Sequence, residues 1–261
     1  MTCRWNVTSN VFVDFSFDFV YDRQIGVYGD VYMSKILFLT SSPFTGRGLP
    51  FNTENEFVSR MQKAMHKYNK GLFITASPDD YDETDGFSFG IKYTAEISGM
   101  EFESYTVLDR RNQNDAAKLV KSSNFIILGG GHVPTQNRFF SEIRLKELLE
   151  DFDGVIFGIS AGSMNSAEEV YAQPELDGES LDPDYKRFIT GLGLTKTKLI
   201  PHYQDIKDRF LDGKRLFEDI TYPDSMGHTF IAIPDGSYLY SEDGKEELMG
   251  EHFVISDGGI V

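Results

Sequence analysis

The sequence predicts an α/β fold, a three-layer sandwich with a mostly parallel central sheet and helices on both faces. Three observations carry this. Short runs that are apolar almost throughout, such as FIIL at 125–128 and VIFGI at 155–159, alternate with segments whose apolar residues recur at helical spacing, and strands buried on both faces belong to parallel sheets. Two of these runs stop in small-residue turns, GGG at 129–131 and SAG at 160–162, and sheets of this kind place their sites beyond the carboxyl ends of the strands. Only from TFIAIPDG at 229–236 onward do apolar and polar residues alternate between Asp-Gly turns, the pattern of antiparallel strands.

Residues 1–32 differ from the rest in composition. They hold no Lys and no Glu, the only Trp (Trp5) and the only Cys (Cys3). Within them Val11, Val13, Phe15, Phe17, Phe19 and Tyr21 alternate with mostly polar neighbours, which reads as one amphipathic strand. Met33 then opens MSKILFLTSSPF, with a short polar lead, a buried strand from Lys35 to Thr40, and a turn rich in Ser, Pro and Gly. The fold is expected to begin at Met33, with residues 1–32 an N-terminal extension outside it and residues 33–261 a single domain. An added edge strand and a translated upstream stretch are the alternatives for the extension.

The elements follow in order. Thr53-x-x-Glu56 has the form of a capping box in front of a helix with Phe57, Met61, Met65 and Tyr68 on one face and Gly71 as its stop. GLFITASP is a strand, a helix is expected around Phe87 to Ile97, and FESYTVL is the next strand. A polar helix near Asp115 to Val120, the strand FIILGGG, a helix from about Gln136 to Glu150 and the strand VIFGIS complete a β-α-β-α rhythm. The acidic stretch YAQPELDGESLDPDYKR at 171–187 holds too much Pro, Gly and Asp for a helix or central strand and reads as a surface loop near the site.

Composition excludes several function classes. A formal charge of −16 disfavours a nucleic-acid phosphate backbone or an anionic membrane as partner. One cysteine permits no internal disulfide and no cysteine-based metal site. The histidines, His66, His132, His202, His228 and His252, show neither H-x-x-x-H nor H-E-x-x-H spacing, so no metal is expected. No apolar run approaches the roughly 20 residues that span a bilayer, and the N-terminus lacks a signal-peptide layout. A cytoplasmic monomer or homodimer is expected.

The chemistry-bearing residues sit at strand ends. Gly158-Ile159-Ser160-Ala161-Gly162 fits G-x-S-x-G, in which a sharp strand-to-helix turn presents the serine hydroxyl and the next backbone N–H to one space. A serine nucleophile needs oxyanion donors, a base and an orienting carboxylate. Ala161 N–H and the glycine run Gly129-Gly130-Gly131 are candidate donors, His202 in LIPHYQD the candidate base, and Asp235 in IPDG the candidate acid. Each alone has a plainer reading: glycines needed for a βα turn, a satisfied histidine, an aspartate of an ordinary Asp-Gly turn. Asp205, three residues beyond His202, is the local alternative as acid. Asp235 is favoured because a separate strand end can more naturally meet the imidazole nitrogen that faces away from Ser160.

Taken in order and at these separations, FIILGGGHVPTQNRFF, GISAGSMNSA, LIPHY and AIPDGSYLYSEDGKEELMG resemble the S51 family of serine peptidases, which includes aspartyl dipeptidase (peptidase E) and cyanophycinase. The resemblance runs from about Met33 to the C-terminus. It implies a fold like that of class I glutamine amidotransferases and a triad ordered Ser, His, then Glu or Asp. Carried over by motif, Ser160 is the nucleophile, His202 the base and Asp235 the acid, standing where peptidase E has Glu in Pro-Glu-Gly. Gly131 and Ala161 match the oxyanion donors. The implied activity is hydrolysis of a short peptide through an acyl-enzyme, with no cofactor.

Two departures bear on substrate. His132 follows the glycines where peptidase E has Asn, and SMNSAEEVYAQPE replaces the Thr-Thr-Asn-Asp-Met-Pro segment of the aspartyl dipeptidase branch. A strict N-terminal-aspartate pocket is therefore not implied. Gly130, His132, Arg138 and Arg187 are candidate substrate-binding residues, the two arginines for the case of an acidic substrate. Two rivals remain. An α/β-hydrolase esterase would place its acid before its histidine, use His228 or His252, and leave LIPHY and IPDG unexplained. A binding or regulatory module on the same fold would carry an inactive triad.

Overall fold

The computed structural model describes residues 35–44, 50–65 and 68–261. The reading of residues 1–32, the start at Met33 and His66 lie outside the described residues. In chain order the first half contains β1 (Ile36–Thr40), α1 (Phe57–Ala64), β2 (Lys70–Ile74), α2 (Tyr81–Ile97), β3 (Ser104–Leu108), α3 (Ala116–Lys121), β4 (Phe125–Leu128), α4 (Val133–Glu142), α5 (Leu145–Leu148), β5 (Val155–Ile159) and α6 (Ala161–Asn165). There follow β6 (Glu169–Tyr171), β7 (Phe188–Thr190), β8 (Leu199–Ile200), α7 (Tyr203–Ile206), β9 (Phe210–Leu211), β10 (Lys214–Arg215) and β11 (Thr229–Ala232). The chain closes with β12 (Tyr238–Glu242), β13 (Lys245–Met249), β14 (Phe253–Ser256) and β15 (Gly259–Ile260).

Among the described residues the main sheet has seven strands in the order β13-β12-β1-β5-β4-β2-β3. Strands β1 to β5 pair in parallel and β12 and β13 antiparallel, so the sheet is mostly parallel, as expected. Its central strands are buried end to end, which is why they read as continuous apolar runs. Alternate residues feed two cores. Leu39, Ile126 and Ile156 pack with Val120, Phe139 and Leu145 from α3, α4 and α5. Phe38, Ile127 and Phe157 pack with Phe57, Met61 and Ile91 from α1 and α2. The three layers follow from this period-two division.

Four local expectations are corrected. The Thr53 side chain makes no cap bond, and Glu56 sits at φ 61°. Tertiary bonds decide that turn: Asn55 Nδ2 donates to the Gly236 carbonyl at 2.9 Å, and the Tyr238 hydroxyl donates to the Asn55 carbonyl at 2.7 Å. The helix stops at Ala64, and Gly71 lies inside β2, where a Cβ would come 2.7 Å from the Tyr105 ring. Helix α2 begins at Tyr81 rather than near Phe87, capped by Asp80 accepting from Glu83 N–H at 3.0 Å. The span from Gln136 to Glu150 is split, with Arg144 at φ 55° between α4 and α5.

A second sheet runs β15-β14-β11-β8. Here β11 pairs antiparallel with β14 but parallel with β8, in the register Leu199↔Ile231 and Ile200↔Ala232. The C-terminal strands are thus antiparallel among themselves, and β11 also finds a parallel partner upstream. The ends of the acidic loop, β6 and β7, pair with each other. Among the described residues no helix is long and apolar enough to cross a membrane.

Candidate active site

Strand β5 lies between β1 and β4 at the centre of the main sheet, and Ser160 is the first residue beyond it. Its backbone stands at φ 49°, ψ −110°, a conformation L-residues rarely adopt. Three bonds hold the turn: Ser160 N–H donates to the Thr40 carbonyl at 3.0 Å, and the Ser160 carbonyl accepts from Ser163 N–H at 2.9 Å and Met164 N–H at 3.0 Å. Both glycines of the motif are demanded by contact. A Cβ on Gly158 would stand 3.0 Å from Ser163 N, and one on Gly162 only 2.2 Å from the Leu128 carbonyl oxygen. Ala161 opens α6, so its N–H has no partner within the helix.

The glycine run beyond β4 passes directly beside the serine. A Cβ on Gly130 would lie 3.4 Å from Ser160 Cβ, and Gly131, at φ 147°, would drive one to 2.7 Å from Ala76 Cβ.

The parallel register of β8 and β11 explains how two distant segments meet. Ile200 is level with Ala232, so Pro201-His202 and Ile233-Pro234-Asp235 emerge at the same edge. His202 Nε2 lies 2.9 Å from Ser160 Oγ, and His202 Nδ1 lies 2.9 Å from Asp235 Oδ1. With Nδ1–H facing the carboxylate, Nε2 is free to accept the serine proton. Burial opposes the charge on Asp235, but hydrogen bonds from His202 and Ser41 outweigh it and hold the carboxyl below its ordinary value.

Ser41 was not legible as a site residue. It follows β1, the neighbour of β5, and is fully buried. Its hydroxyl accepts from His202 N–H at 2.7 Å and donates to Asp235 Oδ1 at 2.5 Å, so one atom orients both His202 and Asp235. Ser41→Ala is expected to lower kcat about tenfold with KM little changed, because one hydrogen bond to a charged group is removed without touching substrate. Steady-state kinetics that show an unaltered kcat would make Ser41 idle.

Asp205 is exposed and accepts from Gln204 Nε2 at 2.8 Å. His202, Asp205 and Asp235 bring potential metal-ligand atoms within 4.8 Å of one another, but both His202 nitrogens are already engaged, by Ser160 and Asp235.

The structure separates the four substrate-binding candidates. Gly130 lies against Ser160. His132 holds the acidic loop: Nδ1 pairs with Thr135 Oγ1 and Nε2 with Glu179 Oε1, each at 2.8 Å. Arg138 is exposed on α4, and Arg187 faces Asp224, Nη1 to Oδ2 3.6 Å. Neither arginine lines the cleft of about 60 Å³ beside Ser160, whose walls include Gly131, Met164, Glu175, His202 and Arg209. Arg209 and Glu175 come from irregular polar segments with no motif to mark them. A larger cavity, about 480 Å³, is lined by Val120, Lys121, Phe152 and neighbours before β4 and β5, at the amino ends of the strands and away from Ser160.

The chain is similar to a peptidase from an acI-B1 Actinobacterium at 18% identity and a TM-score of 0.58, over 88% of this chain and 94% of the other. It is similar to a protein from Listeria monocytogenes EGD-e assigned to peptidase E at 16% identity and a TM-score of 0.58, over 84% of this chain and 99% of the other. These likenesses are of fold. No curated protein matches the chain in sequence. The sequence profile of peptidase family S51 matches residues 37–249, from β1 through β13, and the chain accordingly belongs to peptidase family S51, a family of peptide-bond hydrolases.

Proposed function

We propose that this chain is a serine peptidase that cleaves short peptides through Ser160, His202 and Asp235. The observation that carries the reading is the position of His202, with one nitrogen 2.9 Å from the serine hydroxyl and the other 2.9 Å from the aspartate. In the first step His202 Nε2 takes the Ser160 proton as Oγ bonds to the peptide carbonyl carbon. The carbonyl oxygen, now anionic, is stabilised by the N–H groups of Gly131 and Ala161, and Asp235 stabilises the imidazolium. Collapse breaks the C–N bond as His202 returns the proton to the leaving amine. Water, deprotonated by the same imidazole, then releases the acid and restores the serine. A narrow cleft favours the end of a small peptide over a loop of a folded protein.

The test is covalent. A fluorophosphonate should add one adduct to the intact protein, located at Ser160 by peptide mass mapping and absent in Ser160→Ala, and a dipeptide library should be hydrolysed by the unmodified protein alone. A folded wild-type protein that neither labels nor hydrolyses any dipeptide would leave the fold as a binding module.

A further inference from the structure

The cleft beside Ser160 contains a carboxylate with no donor. Glu175, half-buried, lies in the acidic loop at 171–187 and lines the cleft beside Ser160. Its side chain accepts no hydrogen bond and forms no ion pair among the described residues. Its backbone, by contrast, is pinned on both sides: the N–H donates to Glu179 Oε2 at 2.9 Å, and the carbonyl accepts from Arg209 Nη2 at 2.8 Å. Glu179 is itself held by His132, the residue after Gly131. The carboxylate is thus carried on backbone keyed to the same glycine turn that borders the nucleophile.

The groups that act most strongly on it come from four residues. Burial pushes the Glu175 carboxyl above its usual value, His132 opposes this, Glu179 adds to it, and Arg209 and His202 oppose it. None of these bonds to the carboxylate oxygens. A desolvated carboxylate without donors is unfavourable and is relieved by a cation bearing N–H groups. A peptide supplies such a group within one residue of its first scissile carbonyl, as the α-ammonium of a free amino terminus or as a basic side chain.

We propose that Glu175 is the substrate-recognition carboxylate of this site and receives a nitrogen cation from the peptide on the acyl side of the scissile bond. The proposal rests on the peptidase reading above and adds the substrate class, amino-terminal or basic peptides in place of acidic ones. Arg209, on the opposite account, would select an acidic group.

The experiment compares kcat/KM for three dipeptide sets, neutral with a free amino terminus, the same N-acetylated, and each with Lys, Arg or Asp as the first residue. The wild-type protein is set beside Glu175→Gln and Glu175→Asp, with the rate of fluorophosphonate labelling of Ser160 as an independent readout. The expected result is that Glu175→Gln loses about 10- to 100-fold on cationic substrates, mainly through KM. N-acetylated neutral substrates and the labelling rate should stay level, and Glu175→Asp should recover part of the loss. Sensitivity to acetylation assigns the cation to the amino terminus. A preference for Lys or Arg that survives acetylation assigns it to the side chain. Unchanged selectivity in a folded, labelled Glu175→Gln protein, or Asp as the best first residue, overturns the proposal. Absence of labelling in the wild type is a different failure, that of the peptidase reading itself, and the proposal falls with it.

Discussion

Asp235→Asn should give a folded protein whose kcat is about 10⁴-fold lower, while Asp205→Asn changes kcat by less than about tenfold. The two residues differ in what they touch. Asp235 Oδ1 is 2.9 Å from His202 Nδ1 and also takes the Ser41 hydroxyl at 2.5 Å. An amide of the same shape keeps the packing but can present N–H to Nδ1, which forces the ring proton onto Nε2 and leaves no acceptor for the serine. Asp205 is exposed, and among the described residues its side chain bonds only to Gln204. Steady-state kinetics of both variants, with circular dichroism for the fold, decide the matter. Near-normal kcat in a folded Asp235→Asn protein, or a collapse in Asp205→Asn, would reverse the assignment.

The second large effect is steric. Gly162→Ala places a Cβ 2.2 Å from the Leu128 carbonyl oxygen and 2.7 Å from the Leu128 carbonyl carbon. The obstacle is backbone of a central, fully buried strand, so no side chain can swing aside. Helix α6 must lift from β4, and the turn that holds Ser160 moves with it. A loss of about 3 kcal/mol or more is expected, seen as a fall in Tm of roughly 6–12 °C, with most activity gone. Gly90→Ala is the matched control. Its Cβ would point into open space on α2, and it should stabilise by about 0.5–1 kcal/mol. Equal melting of Gly162→Ala and wild type would show that the helix sits on the strand less tightly than described.

What could be read from the sequence depended on whether the cause was local. The strands of the main sheet were legible because burial on both faces leaves an unbroken apolar run, and the serine turn because its glycines are fixed by contact with the next element. The start of α2 was not, since Gly86 interrupts the helical pattern just ahead of Phe87. The turn at Thr53 misled because its bonds are made to Gly236 and Tyr238, far along the chain. The same reason hid Ser41, Glu175 and Arg209. Each reaches the site through tertiary pairing, and nothing in TSSPF, AQPEL or DRFLD announces it. His202 and Asp235 were found as strand ends, and the register that unites them is a property of the second sheet.

That second sheet has a bearing on how the chain is born. The elbow closes against β1 and β4, all within the first 165 residues. His202 arrives from 42 residues downstream of the serine, and Asp235 a further 33 beyond His202. The acid lies in the short crossing from β11 into β12, where Thr40 Oγ1 donates to the Ser237 carbonyl at 3.3 Å. A nascent chain that has made its serine turn therefore has neither His202 nor Asp235 beside it, and these contacts of long sequence separation close late. On the proposed mechanism the serine therefore lacks both partners until synthesis has passed the crossing and both sheets have met, and an unfinished molecule could not attack the peptides around it.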